Sequence, residues 1–176
     1  SRIGADLVVL AIGIRPATTF LDGSGLAMEK GAIVVDEMMR TNIPDVYAAG
    51  DCALVRNQQT HQPQWSAMGS TANITARALA CTMTGTETPY GGCLGTGVVR
   101  LGEGFNAGRT GLTEAQAREA GYEPVTVVCA SDDKAHYYPG SSFFMTKLIA
   151  DRSTHQLLGI QVLGSAVDKM VDIAVT

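Results

Sequence analysis

Gly50 and Asp51 are the residues whose types and placement most directly suggest chemistry. They close the run Thr41-Asn42-Ile43-Pro44-Asp45-Val46-Tyr47-Ala48-Ala49-Gly50-Asp51. A turn rich in Asn, Pro and Asp leads into a short apolar strand expected at residues 46–49. In an open α/β sheet, ligands collect beyond the carboxyl ends of strands. A glycine there lets a ligand approach the backbone closely. An aspartate there is a fixed acceptor for sugar or ribitol hydroxyls. Asp is also a favoured helix N-cap, so spacing alone leaves both roles open for Asp51.

Other reactive side chains form no constellation. Cys52, Cys81, Cys93 and Cys129 are widely spaced and make neither a Cys-x-x-Cys pair nor a Cys/His ligand set. They read as free thiols of a reducing, cytoplasmic compartment. Gly102-Glu103-Gly104-Phe105-Asn106-Ala107 loosely mimics a dinucleotide fingerprint. It falls between two expected strands, where the fingerprint needs a strand followed by a helix, so it reads as a hairpin turn. Arg15 is either a solvated loop cation or a phosphate contact, and His136 and His155 read as exposed loop residues.

Composition narrows the function classes. With 45% hydrophobic and 17% charged residues over 176 positions, the chain is globular and long enough for one domain or two small ones. A net charge of -4 gives no basic bias towards nucleic acid. No apolar run reaches the roughly 18 residues that a membrane helix needs. The longest, at residues 5–14, is interrupted by Asp6 and Gly13. The chain opens almost directly on a strand-like run and closes inside a helix-like one, which suggests a piece of a longer protein.

The elements that must position Asp51 follow from periodicity. Residues 5–13 are nearly continuous apolar residues and predict a strand buried on both faces, as in a parallel sheet. A helical turn is expected at 17–21, a short strand at 32–36 and a loop at 54–64. Residues 65–83 predict a long helix stopped by Gly85, with Ala67, Ala72, Ile74, Ala76, Leu79 and Ala80 as its small and apolar members. Its first turn offers free N–H groups and the positive end of the helix dipole. Trp65 and Met68 near that start either line a ligand or serve as core or lid residues. The turn-rich stretch 86–92 marks a boundary, dividing the chain into residues 1–88 and 89–176. Beyond it the order is strand, strand, helix, three strands, helix: an α+β module with a mostly antiparallel sheet and flanking helices. Thr113 caps the helix at 113–120, and Val167, Met170, Val171 and Ala174 share one face of the last helix.

Several stretches, taken in chain order, resemble one family. They are Ala11-Ile12-Gly13-Ile14-Arg15-Pro16, the run 41–51, Gly95-Thr96-Gly97-Val98-Val99-Arg100 and Arg109-Thr110-Gly111-Leu112-Thr113-Glu114. Tyr137-Tyr138-Pro139-Gly140 and Leu158-Gly159-Ile160-Gln161-Val162-Leu163-Gly164, followed by Val167-Asp168-Lys169, complete the set. Together they resemble the FAD-dependent pyridine nucleotide-disulfide oxidoreductases, in the branch of the CoA-disulfide reductases, NADH oxidases and NADH peroxidases. The resemblance implies an α/β part of an FAD/NAD(P)-binding fold followed by an α+β dimerisation domain. Residues 1–88 would close the NAD(P) domain and supply the C-terminal part of the FAD domain. Residues 89–176 would form most of a homodimer interface, with Tyr137 and Tyr138 candidates to sit there or near the partner's active site.

The resemblance further implies that Asp51 bonds the ribitol and pyrophosphate region of FAD, with Gly50 as the close-approach residue beside it. Ala67 and Met68 match the segment facing the flavin ring. The helix start would suit the electron-rich pyrimidine edge of the reduced flavin. The parent enzyme is expected to pass a hydride from NAD(P)H to FAD, and electrons onward to a disulfide, peroxide or oxygen as small-molecule acceptor. Two glycine-rich phosphate loops, an amino-terminal redox cysteine and a His-Pro motif belong to that pattern and do not occur in this sequence. Cys52 adjoins Asp51 but does not occupy the redox cysteine's position. The chain alone is therefore expected to be inactive. The alternative reading is a non-catalytic dimerisation module without bound cofactor.

Overall fold

The computed structural model describes residues 3–176. A 3-10 turn at Thr19–Leu21 precedes a small sheet of four strands: β1 (Met28–Glu29), β2 (Ala32–Val34), β3 (Ala53–Arg56) and β4 (Pro63–Trp65). They lie side by side in chain order. β2 and β3 are parallel, with Ile33 opposite Ala53, and the outer pairs are antiparallel. Ile33, Ala48 and Ala53 form the core here, packed by Leu21, Leu26 and Met28. Helix α1 (Gly69–Met83) follows β4 and buries a stripe of small residues, Thr71, Thr75 and Ala78. That i, i+4, i+7 spacing puts all three on one helix face.

The second part is a five-stranded antiparallel sheet. Its strands are β5 (Gly97–Gly102), β6 (Phe105–Gly111), β7 (Pro124–Asp132), β8 (Phe143–Asp151) and β9 (Leu157–Gly164), in the order β5-β6-β9-β8-β7. Helices α2 (Glu114–Glu119) and α3 (Val167–Val175) flank it. Thr113 caps α2 in a reciprocal capping box with Gln116. Ala117 of α2 is packed with Leu112, Ile149 and Leu158. Lys147 on β8 reaches Glu114 at 2.6 Å.

The other sheet face receives α3, where Val167 and Val171 pack on Ile160 and Val162. Each aliphatic side chain buried this fully contributes about 1.5–3 kcal/mol. Gly108 makes the approach possible: a Cβ added there would lie 2.8 Å from Val171 Cγ2.

The two parts touch along a seam. The Gln59 side-chain amide donates to the Leu158 carbonyl at 2.8 Å, and the Tyr122 hydroxyl donates to the Gln59 carbonyl at 3.3 Å. Cys93 pairs with Asn57 in a parallel bridge. The stretch 86–92 is thus an irregular segment fastened at both ends, with the Tyr90 N–H bonded to the Glu37 carbonyl at 2.8 Å.

Four expectations from the first part of the chain need correction. Residues 5–13 form no strand and are exposed; Leu10, for example, is 81% exposed. A strand of that type is stabilised by ladders and by cover on both faces, and none of the strands named above pairs with it. Residues 46–49 are extended, but their only pairing is the isolated Arg40–Tyr47 bridge. The strand lies after Asp51, as β3. The loop expected at 54–64 is in part the β3–β4 hairpin, because Leu54 and Val55 carry the apolar pattern into it. The long helix starts at Gly69, since Trp65 belongs to β4, and Ile74 and Ala76 face outward from it. In the second part, the expected order of elements is the observed one, and Gly102-Glu103-Gly104 forms the β5–β6 hairpin turn.

Two measurable consequences follow from the packing. Gly108→Ala should destabilise the fold by about 1–3 kcal/mol through overpacking against α3. The cost should shrink in a Val171→Ala background, as read by denaturant midpoints in a double-mutant cycle.

Asp151 is buried and accepts from Ser153 Oγ at 2.6 Å, the Thr154 N–H at 2.9 Å, Thr154 Oγ1 at 2.8 Å and the Glu123 N–H at 3.0 Å. These bonds, the Ser153 hydroxyl's foremost, hold its carboxyl far below the usual carboxylate range. A depressed folded-state value contributes stability above the unfolded value of about 3.9, and that stability is lost as pH falls below it. Asp151→Asn should therefore lower the melting temperature at pH 7, with the gap to wild type closing below about pH 4. A gap independent of pH would contradict the role given to the charge.

Candidate functional site

Asp51 sits in a single 3-10 turn, Gly50–Cys52, that joins extended Ala49 to β3. Gly50 opens the turn at φ +79°, a left-handed conformation that costs other residues energy. A Cβ on Gly50 would meet only Ala72 Cβ, at 3.8 Å, so the backbone stands open to an approaching group.

Two side chains from different elements hold the turn. The Gly50 N–H donates to Thr75 Oγ1 on α1 at 3.3 Å. The Trp65 indole N–H, from β4, donates to the Asp51 carbonyl at 2.7 Å. Thr75 is fully buried, and its hydroxyl also lies 2.8 Å from the Thr71 carbonyl one turn back.

The Asp51 carboxylate is exposed and makes no hydrogen bond or ion pair among the described residues. It does not cap a helix, because α1 begins eighteen residues later and the turn has no side-chain cap. Nearby α1 packs on this turn and starts without a cap. Met68 occupies the capping position, and its side chain has no oxygen to accept the first N–H groups. Ser66 and Thr71 share a buried hydroxyl–hydroxyl bond of 2.8 Å that fixes the entry into the helix.

A free carboxylate beside a left-handed glycine, with an uncapped helix start next to it, is a donor and acceptor set for a hydroxyl-rich, electron-rich ligand. It fits a dinucleotide carrying ribitol or ribose.

Of the expected site residues, Gly50 and Asp51 lie in the turn itself. Ala67 is half-buried in the extended segment before α1. Met68 turns its side chain towards the second sheet, its Cε 3.6 Å from where a Cβ on Gly97 would be. There it lines an open cleft of about 590 Å³ with Val99, Ala107, Arg109 and Leu163. Sequence reading missed Thr75 and gave Trp65 a different task. The trace of Thr75 in the sequence is its place in the Thr71, Thr75, Ala78 stripe, the small face of a helix that must pack closely.

The cysteines are separate thiols. Burial pushes the Cys93 thiol up, away from the reactive thiolate. Cys52 points back into its own turn, with Sγ 3.5 Å from the Ala49 carbonyl. No glycine-rich turn among the described residues leads from a strand into a helix in the manner of a nicotinamide-dinucleotide loop.

A family model described as pyridine nucleotide-disulphide oxidoreductase matches residues 1–72. A second, described as the dimerisation domain of the same family, matches residues 104–176. The chain is 36% identical over 171 residues to an NAD(P)H coenzyme A polysulfide/persulfide reductase of Pyrococcus horikoshii, covering 97% of this chain and 38% of that protein. It is 30% identical over 158 residues to an NADH oxidase of Streptococcus pyogenes, covering 89% of this chain and 34% of that protein. Among solved structures, a NAD-dependent persulfide reductase from A. fulgidus superposes with a TM-score of 0.88 at 34% identity, over 97% of this chain and 32% of that one. The chain thus spans about a third of the length of these relatives. The two matches together take in most of the chain, residues 1–72 and 104–176, and it belongs to the pyridine nucleotide-disulphide oxidoreductase family.

Proposed function

We propose that this chain is part of a flavoprotein oxidoreductase that carries electrons from NAD(P)H through FAD to a small sulfur or oxygen acceptor: a disulfide, persulfide, peroxide or dioxygen. The observation that carries the reading is the unpaired Asp51 carboxylate beside the uncapped start of α1. The names of the relatives, persulfide reductases and NADH oxidases, support the acceptor class. FAD, when bound, supplies the two-electron redox chemistry.

The chain's own residues bind and orient it. Asp51 accepts hydroxyl hydrogen bonds from the ribitol side, and Gly50 lets the dinucleotide lie against the backbone. Ala67 and Met68 bring the α1 start to the flavin edge, where the N–H groups favour negative charge. No step involving the nicotinamide is assigned to residues of this chain.

Residues 1–88 form the cofactor-binding part in this reading, and residues 89–176 pair with a second copy. The dimer reading is supported by the sheet's chemistry. The rung Val99–Ala107–Leu163–Met145–Ala130 crosses all five strands and is wholly apolar. Val99, Leu163 and Met145 in it are exposed, as are Leu101 and Phe105 alongside. A patch of this kind marks an interaction surface. The four unpaired thiols support a cytoplasmic setting.

In the full-length protein, Asp51→Ala should raise the FAD dissociation constant about 10-fold or more, the worth of a hydrogen bond to a charged group. Flavin fluorescence titration reads this, and wild-type affinity in the variant would sink the role of Asp51. Leu163→Glu should shift the dimer towards monomer in sedimentation velocity. An unchanged dimer would move the interface to another face.

A further inference from the structure

The geometry points to Thr75 and Trp65 as positioning residues that clasp the Gly50–Asp51 turn and aim the Asp51 carboxylate at the space before α1. This role presupposes that Asp51 meets the flavin dinucleotide, as proposed above.

The turn needs such a clasp. Gly50 is the most permissive residue type, and its left-handed conformation is one of several open to it. No strand ladder reaches Gly50 or Asp51, since β3 begins only at Ala53. The half-buried Gly50 N–H and the Asp51 carbonyl are therefore bonded by side chains rather than by a neighbouring strand. Thr75 accepts the first at 3.3 Å and Trp65 donates to the second at 2.7 Å.

The two bonds grip consecutive residues from two different elements, α1 and β4. They fix both the height and the rotation of the turn, and with it the direction in which the Asp51 side chain leaves the backbone. Thr75 has a second link. Its hydroxyl hydrogen lies within reach of the Thr71 carbonyl at 2.8 Å, in the first turn of α1. The same hydroxyl thus ties the carboxylate's turn to the helix end that completes the site. Its burial excludes water as a replacement partner. Valine at this position keeps the shape but offers no acceptor, leaving the Gly50 N–H unpaired.

The test compares wild type, Thr75→Val, Thr75→Ser and Trp65→Phe in the full-length protein. Three quantities are read: FAD affinity by fluorescence, amide exchange of apoprotein peptides covering residues 48–53, and melting temperature. Thr75→Val and Trp65→Phe should each weaken FAD binding about 10-fold and speed exchange in that peptide, with the melting temperature changed little. Thr75→Ser, which keeps the hydroxyl, should bind and exchange like wild type.

If Thr75→Val fails to fold, Trp65→Phe decides. Wild-type affinity in whichever variant folds overturns the positioning role and leaves the flavin reading standing. So does faster exchange without loss of affinity, or a loss in Thr75→Ser equal to that in Thr75→Val. Wild-type protein that takes up no FAD overturns the flavin reading and the positioning role together.

Discussion

The antiparallel pairing of β6 with β9 is the constraint on which the rest of the second part depends. These strands are neighbours in space but are separated in the chain by α2, β7 and β8. Their pairing puts Gly108 beside Val162, and only a residue without a side chain lets Val171 of α3 come down on that point. The same pairing brings Leu158 next to the end of β6, where its carbonyl also receives the Gln59 amide from the first part of the chain. One ladder thus orders the sheet, seats α3 and anchors the seam between the two parts.

The consequence for function is a division of labour between the faces. α3 covers the middle strands on one side, and α2 covers one end of the other. What remains open on the α2 side is an apolar surface interrupted by one polar rung, Arg109–Gln161–Lys147. Met68 leans onto that surface from the start of α1. The candidate cofactor site and the candidate dimer surface are therefore adjacent. A second protomer docked on the sheet would close over ground that borders the start of α1. In such an arrangement, loss of the dimer would also expose the α1 start to water.

The legible parts of the sequence were those with strong local patterns. The β5–β6 and β8–β9 hairpins, Thr113 as the N-cap of α2 and the apolar face of α3 were all readable from turn chemistry and periodicity. The first part was harder for physical reasons. Residues 5–13 have the composition of a buried strand, but composition cannot supply neighbours, and here they lie exposed. Residues 46–49 and 53–56 are both short and apolar, so periodicity alone could not say on which side of Asp51 the ladder formed. The α1 boundary slid because Trp65 suits a strand as well as a helix, and its indole is committed to the Asp51 carbonyl.

By itself, the sequence determined which residue types stood ready: a flexible glycine next to an acid, a long helix of small and apolar residues after it, and an antiparallel module with its order of elements. Those depend on spacing within a few residues, which the chain carries locally. Only the tertiary structure decided that Asp51 leads into a strand and leaves its carboxylate free, that α1 starts uncapped beside it, and that Thr75 and Trp65 grip the turn. Contacts between β4, α1 and the turn are made across loops, and the hydrogen-bonding needs of the Gly50–Asp51 backbone are met only when those elements pack together.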